Sequence, residues 1–196
     1  MKVAPITLEG THVRLELLSL DHHAALCEVG LDAELWRWTT ADVRSPEDLR
    51  RYIQRALQEQ REGKALPFAT VERSSGKPVG STRFGSIEPE HRRVEIGWTW
   101  IGREWQRTAI NTEAKYLMLR HAFEVWGAQR VEFKTHAMNY RSRTAIARLG
   151  AKEEGTMRKH MISERGVPRD TVYFSIIDTE WPDVRAGLEH KMQEHA

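Results

Sequence analysis

Between Arg92 and Thr135 the apolar residues of this chain change their period from two to 3.6 and back to two. Val94, Ile96, Trp98 and Trp100 alternate with Glu95, Gly97 and Thr99, the pattern of a strand whose neighbouring side chains point to opposite faces. A polar loop from Gly102 to Asn111 leads to the strongest helical pattern of the chain. Thr112 and Glu113 begin it, Ala114, Leu117, Met118, His121, Ala122 and Val125 recur on one face, and Gly127 ends it. Arg130 to Thr135 then alternates again. A strand that reaches the next strand through a helix returns parallel to it, in a right-handed crossover. This step therefore demands a sheet with a parallel pair.

The flanking segments ask for antiparallel neighbours. Phe68 to Val71, Val79 to Ile87 and Arg92 to Ile101 are separated only by Ser74-Ser75-Gly76-Lys77-Pro78 and Glu88-Pro89-Glu90, short turn signals that make a meander. Upstream, Thr11 to Leu20 alternates as a half-buried strand, and Asp21 reads as the cap of a helix running to Val29. Ser45-Pro46-Glu47-Asp48 starts a second helix, whose face of Leu49, Tyr52, Ile53, Ala56 and Leu57 stops at Gly63. Downstream, Asn139 caps a short helix burying Ala145, Ile146 and Leu149, and Lys152 to Ile162 and Arg169 to Ile177 pair around Gly166-Val167-Pro168. The expected order is β-α-α-β-β-β-α-β-α-β-β. That describes one α/β domain (α+β mixed) over residues 1–188, with a mixed, mostly antiparallel sheet of about seven strands, helices on both faces, and a polar tail over 189–196.

Composition limits what such a domain does. The 30 basic and 28 acidic side chains among 196 residues leave a formal charge of +2, not the basic excess of a nucleic-acid binder. A single cysteine, Cys27, excludes an internal disulfide, and no CxxC or Cys/His cluster offers a metal site. No stretch approaches the roughly 18 apolar residues of a membrane span. The expectation is a cytoplasmic protein without metal, membrane or nucleic-acid partners. His22 and His23 point apart on their helix, Cys27 reads as a small buried hydrophobe, and His121 as a core residue.

Two segments carry a family resemblance. Val94-Glu95-Ile96-Gly97-Trp98 through His121-Ala122-Phe123-Glu124 is similar to the strand, loop and helix of the ribosomal-protein N-acetyltransferase (RimJ/RimL-like) branch of the GCN5-related N-acetyltransferase (GNAT) superfamily. There a Glu-Ile-Gly-aromatic strand leads through a tryptophan-bearing loop into Thr-Glu-Ala and ends in Ala-Phe-Glu. Asn139-Tyr140-Arg141-Ser142 with Leu149-Gly150-Ala151 resembles that branch's Asn-x-x-Ser and Lys-Leu-Gly-Phe segment. The resemblance runs from about Thr11 to Asp178. It implies an acetyl-CoA-dependent transfer of acetyl to a primary amine, a protein N-terminal α-amine or a small amine, by direct attack in a ternary complex, in a monomer or homodimer. One departure supports an alternative, a non-catalytic coenzyme A-binding or interaction module. The family's Gln/Arg-x-x-Gly-x-Gly/Ala loop is here Gln106-Arg107-Thr108-Ala109-Ile110-Asn111, and if the loop needs positive φ at Ala109, coenzyme binding suffers.

Acetyl transfer needs a deprotonated amine, a held thioester and a proton for the thiolate. By resemblance Glu95 accepts the amine proton, often through water; read plainly, it is equally a solvated strand residue or a partner of Arg92 or Arg93. Many superfamily members use a tyrosine as acid where Ile146 stands, so Ser142 is the expected donor to the thiolate, with Tyr140 or water as the fallback. Asn139 is expected to hold the pantetheine amide. The strand backbone from Trp98 to Gly102, Trp98, Trp100 and Ile101 included, is expected to dock the pantetheine arm. Gln106, Arg107, Thr108, Ala109, Ile110, Asn111 and Thr112 are expected around the pyrophosphate, with Arg143 the favoured phosphate contact among Arg141, Arg143 and Arg148. Trp36-Arg37-Trp38 reads as an acceptor clamp or, equally, as filling between helix and sheet. Trp98, Trp100 and Trp126 read most simply as core, and Trp181 as the start of the tail.

Overall fold

The computed structural model describes residues 1–193. Its strands are β1 (Leu8–Glu9), β2 (Val13–Leu17), β3 (Leu66–Glu72), β4 (Pro78–Glu88), β5 (Arg93–Ile101), β6 (Arg130–His136), β7 (Lys152–Ile162) and β8 (Pro168–Ile177). The helices are α1 (His23–Gly30), α2 (Ala33–Trp36), α3 (Pro46–Arg61), α4 (Ala109–Arg120), α5 (Tyr140–Ala147) and α6 (Trp181–Gln193). One sheet orders the strands β1-β2-β3-β4-β5-β6-β8-β7. β5 and β6 run parallel, as the crossover through α4 demands, and the other neighbours run antiparallel.

Helices cover both faces. On one, Met118, Leu119 and Ala122 of the α4 segment pack with Val94, Ile96, Phe133 and Val172 of the strands and with Trp181 and Leu188 of α6. On the other, Leu26 of α1, Trp36 of α2 and Leu49, Ile53 and Ala56 of α3 pack with Ala69, Val71 and Trp100. Ser45 caps α3 with Pro46 in its first turn, as expected.

Several expectations need correction. The sheet has eight strands, because Leu8–Glu9 pairs with β2. The first cap is Ser19, on a short 3-10 turn before α1. α4 begins three residues early, at Ala109, capped by Thr108, and relaxes into a π-turn at His121–Val125. Residues 189–193, assigned to the polar tail, form the end of α6, and 194–196 lie outside the described residues. Trp181 opens α6, stacked on Phe123 at 5.3 Å with its Nε1–H donating to Glu124. Aromatic packing overrides the polar character of that segment.

The alternation along β5 breaks at a bulge. Arg83 pairs with Gly97 and Ser81 with Trp100, so three steps on β5 oppose two on β4, and Trp98 takes φ 50° to accommodate the extra residue. A one-residue slip changes the face of every side chain beyond it. Val94 and Ile96 therefore lie under α4, whereas Trp100 lies under α1 to α3. Trp98, read as core, is 37% exposed, with the Arg83 guanidinium over its ring.

Two ionisable groups on α4 bind the layers together. Glu113 accepts the backbone N–H groups of Thr11, His12 and Val13 at 2.7, 2.7 and 2.8 Å, filling donors that no strand partner reaches. Gly10 permits this approach, since a Cβ there would fall 2.4 Å from the Glu113 carboxyl carbon. Lys115 is buried, and its Nζ donates to Thr82 and Thr99 at 3.0 and 2.5 Å with no carboxylate partner. Burial pulls its pKa down to about 7.

Glu113→Ala should lower stability by about 2–3 kcal/mol by stranding partly buried donors, a fall of roughly 4–12 °C in Tm for a domain this size; an unchanged thermal melt would show that water replaces the carboxylate. The unfolded chain keeps the Lys115 proton to about pH 10, whereas the folded protein releases it near 7. Folding thus releases this proton between those values, and stability should rise with pH across that window. Lys115→Met should flatten that rise in denaturation midpoints measured from pH 7 to 10.

Candidate active site

β5 pairs with β6 only through Arg93–Arg130, Val94–Val131 and Glu95–Glu132. β6 continues to His136, held by β8, while β5 continues to Ile101. The two strands thus diverge immediately after Glu95, leaving the β6-facing edge of β5 without a strand neighbour. α4 follows the end of β5 and α5 the end of β6, so both helices start at the open end of this wedge.

The loop between β5 and α4 has a different strain from the expected one. Gln106 donates to the Ile101 carbonyl at 2.9 Å and accepts from Arg141 on α5, spanning the open end. The left-handed residue is Arg107, φ 65°. Ala109 is the first residue of α4, where negative φ suits any residue, so no glycine is needed there. Thr108 accepts the Ile110 N–H at 3.4 Å, while the Ala109 and Asn111 N–H groups lie in the first turn, where a helix supplies no carbonyl. The Ile101 and Ile110 side chains are buried in the core. Among the described residues Asn111 Oδ1 is buried without a partner, beside Thr112 in a cavity of about 40 Å³ that reaches α5 and α6. A larger cavity, about 550 Å³, lies across the start of α4, between Thr108–Ile110 and the segments Gly10–His12 and Glu72–Ser74.

Glu95 sits at the apex of the wedge, 4% exposed. Its partner is neither Arg92 nor Arg93, which instead reaches Glu132 and Glu88. Lys134 of β6 lies 2.7 Å from Glu95 Oε2, and the Ser86 hydroxyl donates to the same oxygen at 3.0 Å. Gly97 leaves room, since a Cβ there would fall 2.9 Å from Glu95 Oε1. Burial opposes the Lys134 charge, yet Glu95 and Tyr173 hold its pKa above the ordinary value. Beyond Lys134 lie Tyr173, whose hydroxyl is 3.4 Å from His160 Nε2, and the buried Arg169. Lys134, Ser86 and Arg169 escaped sequence reading. Alternation put Lys134 opposite Val131 and Phe133, but the parallel register that brings it to Glu95 has no local signal.

Asn139 caps α5 by accepting the Ser142 N–H at 3.2 Å, and the Ser142 hydroxyl has no partner among the described residues. Arg143, expected as the phosphate contact, is engaged with Glu153 and the Ala137 carbonyl. Tyr140 is 62% exposed, and Ile146 is buried. Trp36 is corrected as well: it is 2% exposed, donates to the Gly30 carbonyl at 2.7 Å and packs on Trp100, so it fills the core instead of clamping an acceptor. Trp38 packs 4.9 Å from the His136 ring at the end of β6. Its loop is strapped by Arg165, which donates to the carbonyls of Trp36, Arg37, Thr39 and Ala41, and by Glu164, which accepts the Asp42 N–H and pairs with Arg55. His22 and His23 have separate partners, Glu16 and the Pro46 carbonyl. Cys27 is only partly buried, 3.5 Å from His23 Nε2. Among the described residues no His, Cys, Asp and Glu cluster could hold a metal, and no helix is long and apolar enough to cross a membrane.

A family model described as an acetyltransferase (GNAT) domain matches residues 12–152. A Bacillus subtilis protein named as a ribosomal N-acetyltransferase, YdaF, is 31% identical over 106 residues, covering 54% of this chain and 57% of that protein. The uncharacterized N-acetyltransferase p20 of Bacillus licheniformis is 25% identical over 179 residues, covering 89% of this chain and 98% of its own. The matches span under two thirds of YdaF and of the uncharacterized N-acetyltransferase YoaA of B. subtilis, 57% and 64%. A T. thermophilus structure described as an acetyltransferase superposes with TM-score 0.89 at 37% identity, covering 97% of this chain and 99% of its own. Mycobacterium smegmatis RimJ, solved with CoA-disulfide, shares the fold at TM-score 0.81 and 24% identity, with 95% of each chain covered. The strand wedge, the helix starts at its open end and a family model spanning most of the chain agree: the protein belongs to the GNAT acetyltransferase family.

Proposed function

We propose that this protein transfers the acetyl group of acetyl-CoA to a primary amine by direct attack on the thioester in a ternary complex. The divergence of β5 from β6 immediately after Glu95 carries the reading. It joins an unpaired strand edge, a buried carboxylate and the start of α4 around one wedge.

The β6-facing edge of β5 beyond Glu95, where no strand pairs with it, suits the amide groups of a pantetheine arm along Trp98 to Gly102. The free N–H groups of Ala109 and Asn111, with the Arg107 charge, suit a pyrophosphate at a helix start. The side chains of Trp100, Ile101 and Ile110 are buried, and the Ile110 N–H is held by Thr108, so Trp100 and Ile101 contribute through backbone. When bound, acetyl-CoA supplies the electrophilic thioester carbon. Glu95 accepts the amine proton, directly or through water, as the N–C bond forms. Backbone N–H of the β5 edge receives the developing oxyanion. As the C–S bond breaks, the unpartnered Ser142 hydroxyl donates to the thiolate while Asn139 fixes the turn that presents it. The unstrained start of α4 at Ala109 favours a catalytic protein over a non-catalytic module. The name of YdaF supports a protein α-amine as acceptor.

Glu95→Gln should lower kcat about 100-fold or more while moving the acetyl-CoA Kd little, read by thiol release and titration calorimetry; unchanged turnover would remove Glu95 as the base. Ala109→Gly should give no gain in acetyl-CoA affinity in the same calorimetry. A clear gain would show that the bound loop needs positive φ there.

A further inference from the structure

We propose that the acceptor carries a carboxylate beside its reactive amine, and that Arg169 receives that carboxylate while Glu95 receives the amine. This rests on the amine-acetylation reading above and narrows its acceptor. Arg169 lies on β8, on the same face as Thr171 and Tyr173, which pair with His136 and Lys134 of β6. It is 9% exposed, its Nε is buried without a partner, and its guanidinium makes no hydrogen bond among the described residues. The Thr171 hydroxyl beside it is likewise buried and unpartnered.

The surrounding carboxylates are all committed elsewhere. Glu95 is held by Lys134 and Ser86, Glu132 by Arg93 and Arg130, and Asp170 by the Lys159 N–H. Asp42 and Glu164 belong to the strap, with Arg44, Arg165 and Arg55. Burial lowers the pKa of His136, aided by Arg169, against the opposing pull of Asp170. The carboxylate pairings leave Arg169 on this face with no carboxylate in hydrogen-bonding contact among the described residues. A guanidinium does not shed its proton, and a buried charge without a counter-ion is strongly unfavourable. Burial pushes Arg169 below its ordinary value, and the Glu95 and Tyr173 charges offset this only in part. Strand register puts guanidinium and carboxylate on one face: Lys134, which holds Glu95, pairs with Tyr173, and Arg169 follows Thr171 along the same side of β8. The planar fork matches a carboxylate in two parallel hydrogen bonds, so an acceptor with ammonium and carboxylate close together meets opposite charges at both ends. An α-amino acid and a peptide with an acidic side chain near its N-terminus both present this chemistry.

The test measures kcat/KM by thiol release on matched acceptors, α-amino acids against their α-amides, and amidated peptides with aspartate or glutamate against asparagine or glutamine at the first two positions. At least one carboxylate member should be preferred about tenfold or more, and the responding arm separates a free amino acid from a protein terminus. Arg169→Gln should bring that ratio close to one, and Arg169→Lys, which keeps the charge without the fork, should retain part of it. Melting and coenzyme A calorimetry establish that the variants fold; if Arg169→Gln does not, the wild-type panel and Arg169→Lys decide. Equal or better use of the neutral members, or a preference that survives in Arg169→Gln, overturns the proposal while amine acetylation stands. Acetylation of no amine in either arm overturns both.

Discussion

Three residue pairs, Arg93 to Glu95 against Arg130 to Glu132, are all that joins the two halves of the sheet edge to edge. Extending that pairing by two residues would close the wedge. The α4 segment compensates for the short seam from below, packing its buried face on Val94 and Ile96 of one half and Phe133 and Val172 of the other. The bulge at Trp98 then turns the free part of β5, so that Thr99 meets Lys115 on one face and Trp100 meets Trp36 on the other. A short seam, a helix bridging it and one left-handed residue together produce an open strand edge inside an otherwise continuous sheet.

Electrostatics on the two faces follow different rules. On the α4 face the two buried charged groups are satisfied by neutral partners: Glu113 by backbone N–H, Lys115 by threonine hydroxyls. On the open face charges meet charges, as with Lys134 and Glu95. Groups of the first kind brace the layers; those of the second kind are poised to exchange partners when a charged molecule arrives.

The fold was legible because its signals are local. Ser45-Pro46 starts α3 as written, and the crossover through α4 forces the parallel pair. What failed depended on contacts distant in sequence. The bulge at Trp98 is invisible to a period-two pattern, so the faces of Trp98 and Trp100 were misjudged. α6 forms because Trp181 finds Phe123 and Glu124, and β1 forms because Glu113 fixes the turn after it. In the site, Glu95 and the Asn139–Ser142 turn were readable from motif and capping. Lys134 and Arg169 were not, since their relation to Glu95 depends on strand register. The question left open at Ala109 resolves to a helical residue with negative φ, and the left-handed residue lies two positions earlier, at Arg107.

Arg165 grips the loop after α2 almost entirely through main-chain oxygen, with Asp42 the one side chain it reaches. Carbonyls are common to every amino acid, so the path of residues 36–41 is encoded by a residue outside the segment. Side chains along it, Trp38 among them, are thereby free to diverge without the loop losing its course. The course of the loop and the identity of its side chains are thus set by different residues.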